Sequence, residues 1–114
     1  MYDAVEIFNQ GVTHFRQNEL ELALEAFTQA IESDPGLAVA HNGRAVIFAL
    51  LGDFDRAVAD STEAIRLDPR VAHFYRTRGL IYEEIGDKSN AALDLGTAKQ
   101  LGYLRPRHAV ERKG

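Results

Sequence analysis

Cysteine and tryptophan are absent from this chain, and the single methionine is residue 1. Without cysteine there is no disulfide framework, no thiolate nucleophile and no cysteine-based metal site. Proline is scarce, three in 114 residues, so long stretches are free of helix breakers. The longest purely apolar run, Ala45 to Leu51, falls far short of the ~20 residues that cross a bilayer. The opening residues, Met-Tyr-Asp-Ala-Val-Glu, carry neither the basic start nor the apolar core of an export signal. Basic excess is missing too: the formal net charge is −4, which argues against non-specific nucleic-acid binding. These absences predict a soluble, cytoplasmic protein without nucleic-acid or membrane partners.

Catalytic patterns are equally scarce. His14, His41, His73 and His108 are the candidates for metal or acid–base chemistry, and no two have the i, i+4 spacing of a helical metal site. His41 is expected in a packing position, His73 at a binding surface. The adjacent carboxylates Glu83-Glu84 and Asp53/Asp55 suit solvation or helix capping. No phosphate loop, nucleophile elbow or dinucleotide fingerprint occurs. No enzyme activity, metal or cofactor is expected.

What the chain does contain is self-similarity at a period of 34. Asp34-Pro35 returns as Asp68-Pro69. The same step superposes Gly11, Ala45 and Gly79; Ala23, Ala57 and Ala91; and Ala30, Ala64 and Ala98. Phe27, Ser61 and Leu95 share a column, as do Asn18, Gly52 and Gly86. Small residues at the first two columns let antiparallel helix backbones approach closely. Asn18, Gly52 and Gly86 are residue types that tolerate the left-handed conformation ending a helix. Asp53 and Asp87 follow the last two and suit the N-terminus of the next helix. Leu20, Ala23, Leu24, Phe27, Ala30 and Ile31 fall at helical spacing, and Phe54, Ala57, Val58, Ser61, Ala64 and Ile65 repeat it. Six helices follow, at about 3–17, 20–33, 38–51, 54–67, 72–85 and 88–101.

The period, the small and aromatic columns and the closing Asp-Pro resemble the tetratricopeptide repeat family. That resemblance implies an all-α, right-handed superhelical α-solenoid of three helix–turn–helix repeats, 4–37, 38–71 and 72–105, in one domain spanning 1–105. A basic tail, 106–114, follows as an extension or short helix. Two departures stand out. Gln10, Arg44 and Arg78 replace a usual large apolar residue, and Leu101-Gly102-Tyr103 replaces the third Asp-Pro. Lys99 matches Ile31 and Ile65, Ala92 matches Leu24 and Val58, and Lys88 matches Leu20 and Phe54. The outer side of the third copy is therefore expected to be solvated, as the last of an array.

In this family the first helix of each repeat lines a concave groove that takes peptides. The groove set implied here is Val5, Phe8, Val12 and Phe15; Val39, Asn42, Val46 and Ala49; and His73, Arg76, Leu80 and Glu83, with Thr77 beside them. The groove grades from apolar to polar. Asn42 suits contacts to a peptide backbone, and the planar fork of Arg76 suits a carboxylate. Members that grip the Glu-Glu-Val-Asp tails of chaperones use two lysines, two asparagines and an arginine. The matching positions hold Phe8, Val12, Gly43, His73 and Thr77, so the carboxylate-clamp type is not expected. The expectation is a protein-interaction scaffold that binds a peptide or partner helix. The alternatives are self-association into a homo-oligomer through the same strip, or a secretion-chaperone-like client holder.

Overall fold

A computed structural model describes residues 2–103, and the basic tail with His108 lies outside them. Among the described residues there are six helices and no strands: α1 (Ala4–Arg16), α2 (Leu20–Ser33), α3 (Ala38–Leu50), α4 (Phe54–Leu67), α5 (Ala72–Glu84) and α6 (Lys88–Tyr103). They pack as antiparallel pairs α1–α2, α3–α4 and α5–α6, and α2 touches α3 as α4 touches α5. The expected boundaries hold to within two residues.

Local chemistry sets the ends. Asp3 and Glu6 form a reciprocal capping box, with Glu6 N–H donating to Asp3 Oδ1 and Asp3 N–H to Glu6 Oε1, both at 2.9 Å. Asp53 accepts from Arg56 N–H at 3.3 Å, and Asp87 from Asn90 N–H at 3.2 Å, the roles their positions predicted. Asn18, Gly52 and Gly86 have φ of 62°, 85° and 82°, so each first helix ends through a left-handed residue. The Asp-Pro corners are tied to the following helix. His41 Nε2–H donates to the Pro35 carbonyl at 2.9 Å, and Tyr75, its equivalent one repeat on, donates its hydroxyl to the Pro69 carbonyl at 3.0 Å. His41 is buried, and the carbonyl acceptor places the ring proton on Nε2.

The small columns are size-matched pair by pair. A Cβ added to Gly11 would lie 2.6 Å from the Phe27 ring, and one on Gly79 would lie 2.8 Å from Leu95 Cγ. Ala45 carries a Cβ, and its partner in the column is the small Ser61. Both are fully buried, and the serine hydroxyl turns back to the Ala57 carbonyl at 2.9 Å. Glycine thus faces a large side chain twice, and alanine faces a small one once.

Repeats are joined by residues that reach backward. Ile47 enters the cluster of Ala23 and Phe27, around which Phe8, Val12, Leu20 and Leu24 pack. Ile81 enters the next cluster, with Ala45 and Ala57. Each buried isoleucine contributes about 1.5–3 kcal/mol. The equivalent residue of the first copy is the exposed Thr13. At the other end Lys88, Ala92 and Lys99 are exposed, so the outer side of the third pair is solvated as expected.

Arg44 and Arg78, the departures from an apolar column, are held by carboxylates. Arg44 Nε and Nη2 donate to Asp60 at 2.7 and 3.0 Å, and Arg78 repeats this on Asp94 at 2.7 and 2.9 Å. Each guanidinium also reaches a threonine of the preceding pair, Thr28 at 3.4 Å and Thr62 at 3.1 Å. The hydrogen bond that Arg78 donates to Asp94 raises the pKa of Arg78 above the ordinary guanidinium value. The guanidinium groups lie over rings of their own helix, Arg44 Cζ at 5.8 Å from the centre of Phe48 and Arg78 Cζ at 5.9 Å from that of Tyr82.

Candidate functional site

The first helices place their second, fifth and ninth residues on one side, because these recur at helical spacing. The structure brings ten of the expected groove residues together, in two neighbouring cavities rather than one, while the exposed Val5, the half-buried Ala49 and the buried Thr77 line neither. Phe8, Val12 and Phe15 of α1, Val39, Asn42 and Val46 of α3, and His73 of α5 line a cavity of about 220 Å³. Arg76, Leu80 and Glu83 line a second, of about 640 Å³, between α5 and α6. His73 borders both.

The smaller cavity is apolar and partly preformed. Its back wall is Phe27 of α2, whose ring lies 5.4 Å from that of Phe8, centre to centre. Phe15, Val39 and Leu80 remain exposed at the rims. Asn42 is 5% exposed, and its Oδ1 is buried with no hydrogen-bond partner among the described residues. An amide oxygen left so costs about 1–3 kcal/mol.

The larger cavity is charged. Arg76 and Lys99 face it with Glu83, over Leu80, Leu95 and Ala98. Arg76 is exposed and engaged in no ion pair among the described residues, in contrast to Arg44 and Arg78. Lys99, read from the sequence as a solvating residue, also lines this cavity.

Sequence reasoning missed Phe27, Phe74, Leu95 and Ala98 as lining residues. A signal for Phe27 exists: the glycines at 11 and 43 flank it. A Cβ on Gly43 would meet the Phe27 ring at 3.0 Å, so a side chain at 43 needs that ring to give way slightly. Thr77 is buried, its hydroxyl donating to the His73 carbonyl at 3.0 Å. No group of three or more histidine, cysteine or acidic residues able to hold a metal occurs among the described residues. Nor is any described helix long and apolar enough to cross a membrane.

Stacked helix pairs, joined by backward-reaching isoleucines and lined along their first helices, define an α-solenoid. The family model for the tetratricopeptide repeat matches residues 8–61 and 51–100. The chain belongs to the tetratricopeptide repeat family. No curated protein sequence matches it, whereas solved structures do. The second such domain of Spaghetti, bound to the HSP90 peptide SRMEEVD, is similar at 26% identity, with a TM-score of 0.83, over 87% of this chain and 92% of that one. The TPR2B domain of yeast Sti1, in complex with an Hsp70 peptide, shares 24% identity, with a TM-score of 0.87, over 96% and 88%. MamA shares 23%, with a TM-score of 0.81, over 88% of this chain and 58% of its own.

Proposed function

We propose that this chain is a protein-interaction module whose groove, formed by α1, α3 and α5, holds a segment of a partner protein. The observation that carries this reading is the apolar cavity lined by Phe8, Val12, Phe15, Val39 and Val46 together with Asn42, whose buried amide oxygen has no hydrogen-bond partner among the described residues. An unliganded face with exposed Phe15, Val39 and Leu80 gains free energy when covered. A cavity of about 220 Å³ exceeds the ~150 Å³ that holds a benzene ring in other proteins, so it admits one leucine- or phenylalanine-sized side chain. The peptide-bound Spaghetti and Sti1 domains support the reading by their architecture. The ligand of this chain differs in chemistry from a peptide ending Glu-Glu-Val-Asp, because Phe8, Val12, Gly43, His73 and Thr77 stand where a carboxylate clamp needs lysine, asparagine and arginine.

The test is capture of partners from extract by immobilised chain, with and without Val46→Asp and Arg76→Ala, circular dichroism confirming that both variants fold. Captured proteins should be lost from Val46→Asp and reduced with Arg76→Ala. An unchanged set refutes the groove. The exposed apolar rim also fits a second copy of the chain, a reading that light scattering excludes if the mass stays monomeric as concentration rises.

A further inference from the structure

We infer that the larger, charged cavity is the seat of α1 of a second copy, so that chains stack head to tail and continue the solenoid. This surface is separate from the apolar cavity on which the groove reading rests.

The cavity lies where a next first helix would pack. Within the chain, each later first helix meets the preceding pair at fixed points. Gly43 lies against Phe27, Arg44 reaches Thr28, and Ile47 enters the cluster of Ala23 and Phe27. One repeat on, Arg78 reaches Thr62 and Ile81 joins Ala57. The same points after the third pair open on a trough of about 640 Å³, floored by Leu80, Leu95 and Ala98. Carried forward by the 34-residue step, α1 of another copy sets Asn9 against Leu95, Gln10 against Gly96, and Thr13 against Lys88 and Ala92.

Charge selects α1 and fixes its direction. First helices run parallel, so an incoming α1 begins beside the start of α5. The trough is cationic there, with Arg76 in the second turn of α5 and Lys99 late in α6, next to it in the antiparallel pair. The start of α1 brings the exposed Asp3 and Glu6. Glu6 spends Oε1 on the Asp3 N–H, which leaves Oε2 to meet a cation. At its far end the trough carries Glu83, and α1 ends at Arg16, the one base in residues 1–34. A reversed helix would set like charges together. The chain's own basic tail is a poorer occupant, because it begins with Arg105 and Arg107, beside Arg76 and Lys99.

The joint between copies differs from the joints within one. Thr13, Lys88 and Ala92 are exposed and stand where Ile47, Ile81, Phe54 and Val58 join repeats, so charge rather than apolar burial holds it, and it is reversible. A contact between two different surfaces of one chain is open-ended. The groove of one copy then runs on into that of the next.

Sedimentation velocity on the full chain at low salt should show a mass that grows past the dimer with concentration and returns to the monomer as salt screens the end charges. Asn9→Arg blocks the head and Lys99→Glu blocks the other end. Both positions are exposed, and circular dichroism should match the wild type. Each variant alone should be monomeric. Mixed, they should form a dimer and nothing larger, because each supplies the end that the other has lost. Val46→Asp should assemble like the wild type. A monomer at every concentration overturns the inference. Assembly that survives in both end variants also does so, since another surface then makes it, and loss on Val46→Asp alone assigns it to the groove rim. A mixture that stays monomeric while the wild type assembles shows that the joint is not head to tail. Assembly that appears only when Arg105 and Arg107 are replaced by serine gives the trough to the chain's own tail, and overturns the inference as well.

Discussion

Replacing Arg78 by glutamine and Asp94 by alanine recreates in the third repeat what the first repeat already has, Gln10 opposite Ala26. The two substitutions are therefore strongly non-additive. Arg78→Gln alone leaves the Asp94 carboxylate, 8% exposed, without its two-point partner. Removing one member of a fully buried pair costs about 3–5 kcal/mol. The Arg78 side chain is 20% exposed, so some water reaches the site, and about 2–3 kcal/mol is the appropriate figure. Asp94→Ala leaves a cation on a long stem that can swing toward water, and costs about 1–2 kcal/mol. The double variant has no uncompensated charge, keeps a polar side chain at 78, and should lose about 1 kcal/mol. The coupling energy is then about 2–4 kcal/mol.

Urea unfolding followed by far-UV circular dichroism measures all four chains, with equal m-values as the check that the same surface unfolds. For a domain of this size 1 kcal/mol corresponds to about 4–8 °C in Tm, so Arg78→Gln is well separated from the double variant. High salt should change the coupling little, because the pair is mostly shielded from solvent. Single effects that sum to the double within about 0.5 kcal/mol would show that the Arg–Asp pair is no more than a surface contact. Arg44→Gln with Asp60→Ala provides the internal repeat of the measurement.

Gly11→Ala should lower Tm although alanine is the better helix former by about 1 kcal/mol, because its Cβ would lie 2.6 Å from a buried ring and overpacking costs about 1–3 kcal/mol; a melt that rises instead removes the size-matching argument. Glu63 should titrate below the ordinary glutamate value of 4.5 in an NMR pH series, since the hydrogen bond from Arg66 lowers its pKa. The sign follows from a folded pKa below the unfolded one: the stabilisation is present above the unfolded value and is lost as pH falls through the folded one. Arg66→Gln should return Glu63 to the ordinary range, and a titration that does not move refutes the assignment.

The helices were legible because their determinants are local. Asp-Pro corners, left-handed Asn18, Gly52 and Gly86, and small columns at fixed steps each act within one helical hairpin. The backward-reaching Ile47 and Ile81 were not singled out, since nothing along a helix says which apolar residue faces the preceding pair. The Arg–Asp pairs were missed for a related reason. Each arginine was compared with what usually fills its column, not with the acid sixteen residues on. Yet the sequence carries the signal, for Arg44–Asp60 and Arg78–Asp94 appear together and Gln10–Ala26 lacks both. Of the groove, the first-helix residues were legible from the repeat phase. Their division into an apolar and a charged cavity was not, because it depends on Phe27, Leu95 and Ala98, which arrive from the second helices.

Across the three copies the columns divide by what constrains them. Positions 11, 45 and 79 vary only between glycine and alanine, since the opposing side chain leaves room for nothing else. The groove column of Phe8, Asn42 and Arg76 runs from aromatic to amide to cation, because one side of each residue faces open space. Asn42 breaks that division. It is as buried as a core residue but carries an amide whose oxygen has no partner, and a leucine there would avoid the desolvation cost of about 1–3 kcal/mol. A fold that tolerates this variety elsewhere in the column has no packing reason to hold an amide at this depth. On the proposed reading of the groove, a polar group of the bound partner would supply what the chain itself does not.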